Sequence, residues 1–375
     1  MAPKALFTAS TYSHIVNFHL PYLQWFQQQG WEVHAACGGA PQELPFADRV
    51  IHLPLEKSMG SPKNFQAAAL LRRLIRQESY DFVSTHTALA AFFTRLALAG
   101  LRERPAVANM VHGYLFDQDT PALKRQLLLA AERMTAPQTD LLLTMNQWDY
   151  EAAQKYRLGR SVVHIPGVGV DFSQFDRLPE TLRQDMREEY GFSPETFVLI
   201  YGAEFSKRKS QETLIRAMAL LPEDIALILA GDGALRPACQ ALASELGLEA
   251  RILFPGHIRD MGRWYAMADA AVSASRSEGL PFNIMEAMYA GLPLAASAVK
   301  GHVDLIRDGE TGLLFPYGDA AACAAAIRRL REDSQLRQDL AGRAREKVLE
   351  YRLNRVFPLV VEQYGALLPE RAAVG

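Results

Sequence analysis

Cysteine is scarce in this chain. Cys37, Cys239 and Cys323 are spread over 375 residues. They have neither metal-type spacing nor a pairing framework, which argues against a disulfide scaffold or a zinc-finger domain. They read as small core residues in a reducing compartment. An excess of charge of one sign is also lacking. Forty Lys and Arg oppose 42 Asp and Glu, a net charge of −2, so strong nucleic-acid binding has no electrostatic footing. Long hydrophobic runs are missing too. The most apolar stretch, residues 88–101, is interrupted by Thr94 and Arg95 and is too short to span a bilayer. It predicts a buried helix. After Lys4 comes a short β-type run rather than a secretion signal, so the expected location is the cytoplasm. A place on the inner face of the membrane stays open.

What is present is alternation. Short apolar runs rich in Val, Ile, Leu and Ala recur at 4–10, 33–37, 49–55, 81–86, 106–112, 140–145 and 161–165. They recur again at 197–203, 225–231, 251–254, 270–275, 293–298 and 312–315. Helical patterns such as 65–77 and 211–221 fall between most of them. Strands of this kind predict parallel sheets covered on both faces. Thirteen strands exceed one tidy sheet, and Gly167, Gly169 and Pro179 break the rhythm between Pro166 and Pro194. The expected fold is therefore α/β, with two Rossmann-like domains facing across a cleft. The first domain covers 1–165 and is joined by a C-terminal helix over 353–368. The second covers 166–350. Ligands are expected at the carboxyl ends of the strands.

The most informative stretch runs Ser277-Glu278-Gly279-Leu280-Pro281-Phe282-Asn283-Ile284-Met285-Glu286-Ala287-Met288-Tyr289-Ala290-Gly291-Leu292-Pro293. Pro281 suits the first turn of a helix, whose free N–H groups and dipole would favour a diphosphate. Glu278 stands just before that helix and Glu286 lies about a turn and a half inside it. One carboxylate can face the sugar side of a diphosphate while the other accepts hydrogen bonds from a ribose diol. Two Glu residues at a bare spacing would be an ordinary helix start. The flanking residues make the pattern specific.

This stretch resembles the E-x7-E motif of retaining GT-B glycosyltransferases, the group 1 or family 4 kind, nearest to bacterial capsule and exopolysaccharide transferases. Gly231-Asp232-Gly233, Phe254-Pro255-Gly256-His257 and Asp308-Gly309-Glu310-Thr311-Gly312 resemble further family signatures in the same order. The resemblance implies a donor nucleotide-sugar site made by Glu286, Arg208, Gly233, His257, Leu280, Pro281, Phe282 and Asn283. It implies His112, Glu278 and Lys209 as catalytic residues. Lys209 matches the family's diphosphate-binding lysine, while Glu204 occupies the usual place of its arginine, a departure that Arg208 or Lys207 would offset. In the first domain, His112-Gly113 and the run Ser13-His14-Ile15-Val16-Asn17-Phe18-His19-Leu20-Pro21 match exopolysaccharide transferases, which implies acceptor contacts at His14, Asn17 and Tyr114.

The implied reaction moves a hexose or N-acetylhexosamine from a UDP-linked donor to a polyprenyl-diphosphate-linked saccharide, with retention of configuration. No metal and no cofactor are expected. Asp117-Gln118-Asp119 mimics an Asp-x-Asp metal motif, but it lies beyond His112 in the wrong domain. The amphipathic segment 62–78 carries Lys63, Arg72, Arg73 and Arg76, and is the expected contact with an anionic membrane surface. Through residue 165, 16 Lys and Arg stand against 13 Asp and Glu, and beyond it 24 stand against 29. Two other readings share the architecture. One is a nucleotide-sugar epimerase, which needs no acceptor; the other is a silent binding subunit of a polysaccharide assembly complex, favoured only by Glu204.

Overall fold

The computed structural model describes residues 2–176 and 178–368. The chain divides into two compact units, residues 2–169 with 353–368, and residues 170–352. In the first unit the apolar runs become β1 Lys4–Ala9, β2 Glu32–Cys37, β3 Arg49–His52, β4 Phe82–His86, β5 Ala106–Val111, β6 Leu141–Thr144 and β7 Ser161–His164. They form one parallel sheet in the order β3-β2-β1-β4-β5-β6-β7. In the second unit, β8 Phe197–Gly202, β9 Ile225–Ala230, β10 Ile252–Gly256, β11 Ala270–Ser273, β12 Leu294–Ser297 and β13 Leu313–Phe315 form a parallel sheet ordered β10-β9-β8-β11-β12-β13. Each expected strand segment falls on one of these thirteen.

Both sheets are doubly wound, and each has a point where strand order reverses: between β1 and β4 in the first, and between β8 and β11 in the second. Loops leaving the two strands at such a point diverge to opposite faces and open a crevice, where open α/β sheets place their ligands. That rule marks two places in the chain. The first is bordered by residues after β1, β4 and β5, the second by residues after β8 and β11.

Five helices of the first unit matter below: α1 Tyr12–Phe18, α2 Leu20–Gln28, α3 Pro62–Glu78, α4 Ala88–Leu98 and α5 Ala122–Thr135. As expected of the most apolar stretch, α4 is almost wholly buried, including Arg95. That guanidinium donates to Ala91 O at 3.0 Å and to Glu132 on α5 at 2.8 Å, so the buried charge is paired. The helix Leu353–Leu367 returns to the first unit. Tyr364 is buried against Phe82, with ring centroids 5.2 Å apart, and its hydroxyl lies 3.2 Å from Ser84 Oγ.

The membrane expectation for α3 needs correction. Leu71, Leu74 and Ile75 are buried in the core rather than offered to a bilayer. Arg72 caps the end of α4, donating to Ala97 O at 2.9 Å and Ala99 O at 2.7 Å. Lys63 pairs with Glu56 at 2.6 Å. The helix is amphipathic because it covers the sheet, a period-3.6 pattern that cannot by itself tell core from membrane. Among the described residues, no helix is long and apolar enough to cross a membrane.

Candidate active site

After β8 the chain enters a loop carrying Lys207, Arg208 and Lys209. It ends at Ser210, whose φ of 48° is left-handed and unusual for a residue with a side chain. Such strain costs on the order of 1 kcal/mol or more and gathers at functional sites. Here it reverses the backbone immediately after Lys209. The Tyr201 hydroxyl, donating to Lys209 O at 3.2 Å and 2.8 Å from Ser275 Oγ, ties the end of β8 to the loop after β11.

Across that gap stands Glu278, buried just before the helix Phe282–Tyr289. Lys209 Nζ donates to its Oε1 at 2.5 Å and Arg208 Nη1 to its Oε2 at 2.8 Å. Burial alone would favour the neutral acid, but the two cations outweigh it and hold the carboxyl down at about 2. Gly301 makes room for this packing. Its φ is +85°, and a Cβ there would come within 2.7 Å of Glu278 Cβ and 2.9 Å of its carbonyl oxygen.

Glu286 faces the opposite electrostatic situation. It lies one turn into the helix, and the only described hydrogen bond to its carboxylate is from the Tyr265 hydroxyl at 3.4 Å. Burial pushes its carboxyl up to about 7, against the opposing pull of that hydroxyl. One glutamate is therefore fixed as an anion, while the other is poised between its two forms near neutral pH. Gly231-Asp232-Gly233 follows β9, and a Cβ at Gly233 would meet Phe205 O at 2.6 Å, so the β8 loop passes directly against it. Leu280 and Pro281 are buried, Phe282 and Asn283 half-buried, and His257 exposed after β10. Glu204 is exposed on the β8 loop, and Gln211 Nε2 donates to its backbone carbonyl at 2.9 Å.

In the first unit the reversal point carries a cluster that sequence reasoning did not assemble. His14 on α1, His19 between α1 and α2, His86 at the end of β4 and His112 after β5 converge there. His19 Nε2 lies 3.2 Å from His112 Nε2 and 3.4 Å from His14 Nε2. The rings of His19 and His86 are 3.6 Å apart. Burial pushes His14 down to about 4, and burial with the neighbouring imidazoles takes the other three well below the ordinary histidine value. Histidines at strand ends and in the Ser13–Pro21 run were visible in the sequence. Their convergence depends on β1, β4 and β5 being neighbours. Asn17 is exposed on α1. Tyr114, expected at the acceptor, is instead buried, its ring stacked on Phe116 at 5.0 Å; it packs the core. Asp117 accepts from Thr120 Oγ1 at 2.7 Å and from the Asp119 N–H at 3.1 Å, which closes a local turn.

Comparison with known proteins decides the class. Residues 183–347 match the model of "Glycosyl transferases group 1", and residues 22–174 match that of "Glycosyltransferase Family 4". Over 98% of both chains the sequence is 35% identical to the glycosyltransferase EpsD of Bacillus subtilis. The chain belongs to the group 1 glycosyltransferases. It is also 26% identical, over 86% of each chain, to an Escherichia coli enzyme named UDP-Gal:alpha-D-GlcNAc-diphosphoundecaprenol alpha-1,3-galactosyltransferase. Its fold is that of Anabaena HepE, crystallised with UDP and glucose. The TM-score is 0.79 at 20% identity, over 97% of this chain and all of the other. The two parallel sheets are thus those of a GT-B enzyme, of the exopolysaccharide kind.

Proposed function

We propose that this transferase moves a hexose or N-acetylhexosamine from a UDP-sugar to a polyprenyl-diphosphate-linked saccharide, with retention of configuration, in exopolysaccharide, capsule or O-antigen assembly. The observation that carries the reading is the clamp of Lys209 and Arg208 on Glu278 at the start of the Phe282–Tyr289 helix. A nucleoside diphosphate is held by cations and by a helix N-terminus, and this crevice brings the two together. Two cations already held by the buried Glu278 need little reorganisation when the leaving diphosphate develops charge. In this account Glu286 receives the ribose diol, Glu278 faces the donor sugar, and the donor diphosphate needs no divalent ion beneath it.

In the transfer, the bond from the anomeric carbon to the diphosphate oxygen breaks, and a bond to the acceptor hydroxyl oxygen forms on the same face. The hydroxyl proton passes to the departing phosphate oxygen. In this account no described side chain of the second unit acts as a covalent nucleophile. The first unit receives the acceptor, with His112, His14 and Asn17 at the carboxyl ends of its strands. The name of the E. coli galactosyltransferase, which includes a diphosphoundecaprenol-linked sugar, supports the choice of acceptor class, and the UDP in HepE supports the donor.

An acceptor borne on lipid brings the enzyme to a membrane, and α5 is the surface that suits one. Leu123, Leu127 and Met134 share one helical face and are 76%, 65% and 59% exposed. Lys124 and Arg133 are exposed on the same helix. The sole acid of α5, Glu132, turns inward to Arg95. An apolar stripe beside cations, with no outward acid, fits an anionic bilayer surface. Acceptor-dependent release of UDP tests the reading. An epimerase would convert the donor without acceptor, and a silent subunit would release no UDP at all.

A further inference from the structure

His302 is a buried titratable group to which the transfer described above gives no task. It opens the one-turn helix His302–Leu305 and is fully buried, its ring between Ser273 at the end of β11 and Ser297 at the end of β12. Its Nδ1 lies 2.8 Å from the Ser297 carbonyl oxygen, which can only accept, so Nδ1 carries the proton. The same N–H lies 3.2 Å from Ser297 Oγ. Burial lowers the ring below the ordinary histidine value, against the pull of Glu278, and keeps it neutral. Nε2 is therefore a lone pair, and Ser273 Oγ donates to it at 3.1 Å. Both nitrogens are engaged, and their partners fix the tautomer.

From His302 the hydrogen bonds run to both ends of the Lys209–Glu278 clamp. Toward the lysine, Ser297 Oγ donates to Ser275 O at 2.6 Å. Ser275 Oγ lies 2.8 Å from the Tyr201 hydroxyl, whose single proton goes to Lys209 O at 3.2 Å. Toward the glutamate, the backbone N–H of His302 donates to Val299 O at 3.0 Å and closes the turn that carries Lys300 and Gly301. The Lys300 carbonyl accepts from the Glu278 N–H at 3.1 Å, while Gly301 packs against the Glu278 side chain. The Asp304 carboxylate holds the Gly301 N–H at 3.0 Å. Tyr201, Ser273, Ser275, Ser297 and His302 are each at most 2% exposed. Apolar groups of the same shape can fill such a space with nearly equal stability. What a fully satisfied polar network adds is direction, because each bond fixes an angle as well as a distance.

We infer that His302 is a positioning residue for transfer: through Ser297, Ser275 and Tyr201 it sets the backbone of Lys209, and through the turn 299–302 it sets Glu278, so that the two ends of the clamp keep one spacing. His302 itself touches neither donor nor acceptor. This rests on the clamp being the donor site, and adds that its geometry is imposed from beneath by an imidazole with its proton on Nδ1. A misplacement of about 1 Å at a reacting centre can lower turnover roughly 100-fold, so loss of the network is felt in kcat.

The experiment compares the full chain as wild type, His302→Asn, His302→Leu and Ser297→Ala. Turnover is UDP release from a mixture of UDP-hexoses and UDP-N-acetylhexosamines, with a polyprenyl-diphosphate monosaccharide as acceptor. Calorimetry with UDP on the same samples counts the chains that bind it, so turnover is expressed per UDP-binding chain. His302→Leu removes both ring bonds and should lose roughly 10–100-fold in kcat, with UDP affinity close to wild type. Asn offers an N–H where Nδ1 stands, and His302→Asn should keep most of the turnover. Ser297→Ala leaves the carbonyl that His302 uses and cuts only the step to Ser275; it should lose about 10-fold, and it carries the test should His302→Leu not fold. A merely structural histidine would lower stability and leave turnover per UDP-binding chain unchanged, and that result in folded His302→Leu or Ser297→Ala overturns the inference. So does a His302→Asn no better than His302→Leu. Wild type that binds no UDP sinks the donor site and this inference together, whereas an active wild type with unaffected variants sinks this inference alone.

Discussion

Lys209 Nζ stands 2.5 Å from Oε1 of the buried Glu278, joining two side chains 69 positions apart in the sequence. Removing every partner of a buried charge costs about 3–5 kcal/mol, and without Lys209 the Glu278 carboxylate keeps only the exposed Arg208. Lys209→Met should therefore lower stability by up to about 3 kcal/mol and turnover roughly 100–1000-fold. Adding Glu278→Gln should return much of the stability and none of the turnover. Denaturant unfolding and UDP-release kinetics on the same proteins separate the two effects. Turnover in Lys209→Met within a few-fold of wild type would remove the lysine from the mechanism.

Glu286 gives the enzyme a pH dependence with a definite sign. Its carboxyl sits at about 7 in the folded chain, against an ordinary 4.5, and the carboxylate is the form that accepts from a ribose diol. UDP binding should tighten as pH rises through about 7 and level off above it. Glu286→Gln should flatten that profile and cost roughly 1.5–3 kcal/mol in affinity at alkaline pH. Calorimetry from pH 6 to 8.5 checks this, and an unchanged profile in the variant rules out Glu286 as the titrating group.

Much of this was legible in the sequence. Parallel strands covered on both faces read as continuous apolar runs, so all thirteen could be located. The turn Gly279-Leu280-Pro281 announced the helix that carries Glu286. Three-dimensional neighbours were less legible. Nothing local tells that Arg208 and Lys209 close on Glu278, because that contact follows from β8 lying beside β11. Nor does the run Ser13–Pro21 reveal His86, which strand pairing brings to it. The amphipathic face of α3 was read in the wrong direction, since the pattern of a helix on a sheet and that of a helix on a bilayer share one period. Tyr114 failed for a similar reason: a motif gives an aromatic residue its position but not the side of the backbone on which it packs.

Divalent ions should be dispensable at the diphosphate. Lys209, Arg208 and the helix start gather positive charge there, and Asp117 is spent on its own turn. Millimolar magnesium or manganese should leave kcat unchanged within twofold or so. Strong activation by either ion, titrating with its concentration, would contradict this and place a cation under the leaving group.

The membrane face should lie on α5. Flotation with anionic liposomes should recover the wild type, and binding should weaken as salt rises because exposed charges are screened beyond roughly 8–10 Å. Leu123→Glu/Leu127→Glu should abolish flotation, whereas Arg73→Glu/Arg76→Glu on α3 should leave most of it. The reverse pattern would return the membrane contact to α3.

The central claim is retaining transfer from a UDP-sugar to a lipid-linked saccharide, and the direct measurement is the structure of the product. The enzyme is incubated with each of a panel of UDP- and GDP-hexoses and N-acetylhexosamines and a polyprenyl-diphosphate monosaccharide. The product is then identified by mass spectrometry and its new linkage by proton NMR. The account predicts one added sugar from a UDP donor, joined with the anomeric configuration it had in the donor. An inverted linkage, or a donor consumed with no sugar added to the acceptor, would contradict it.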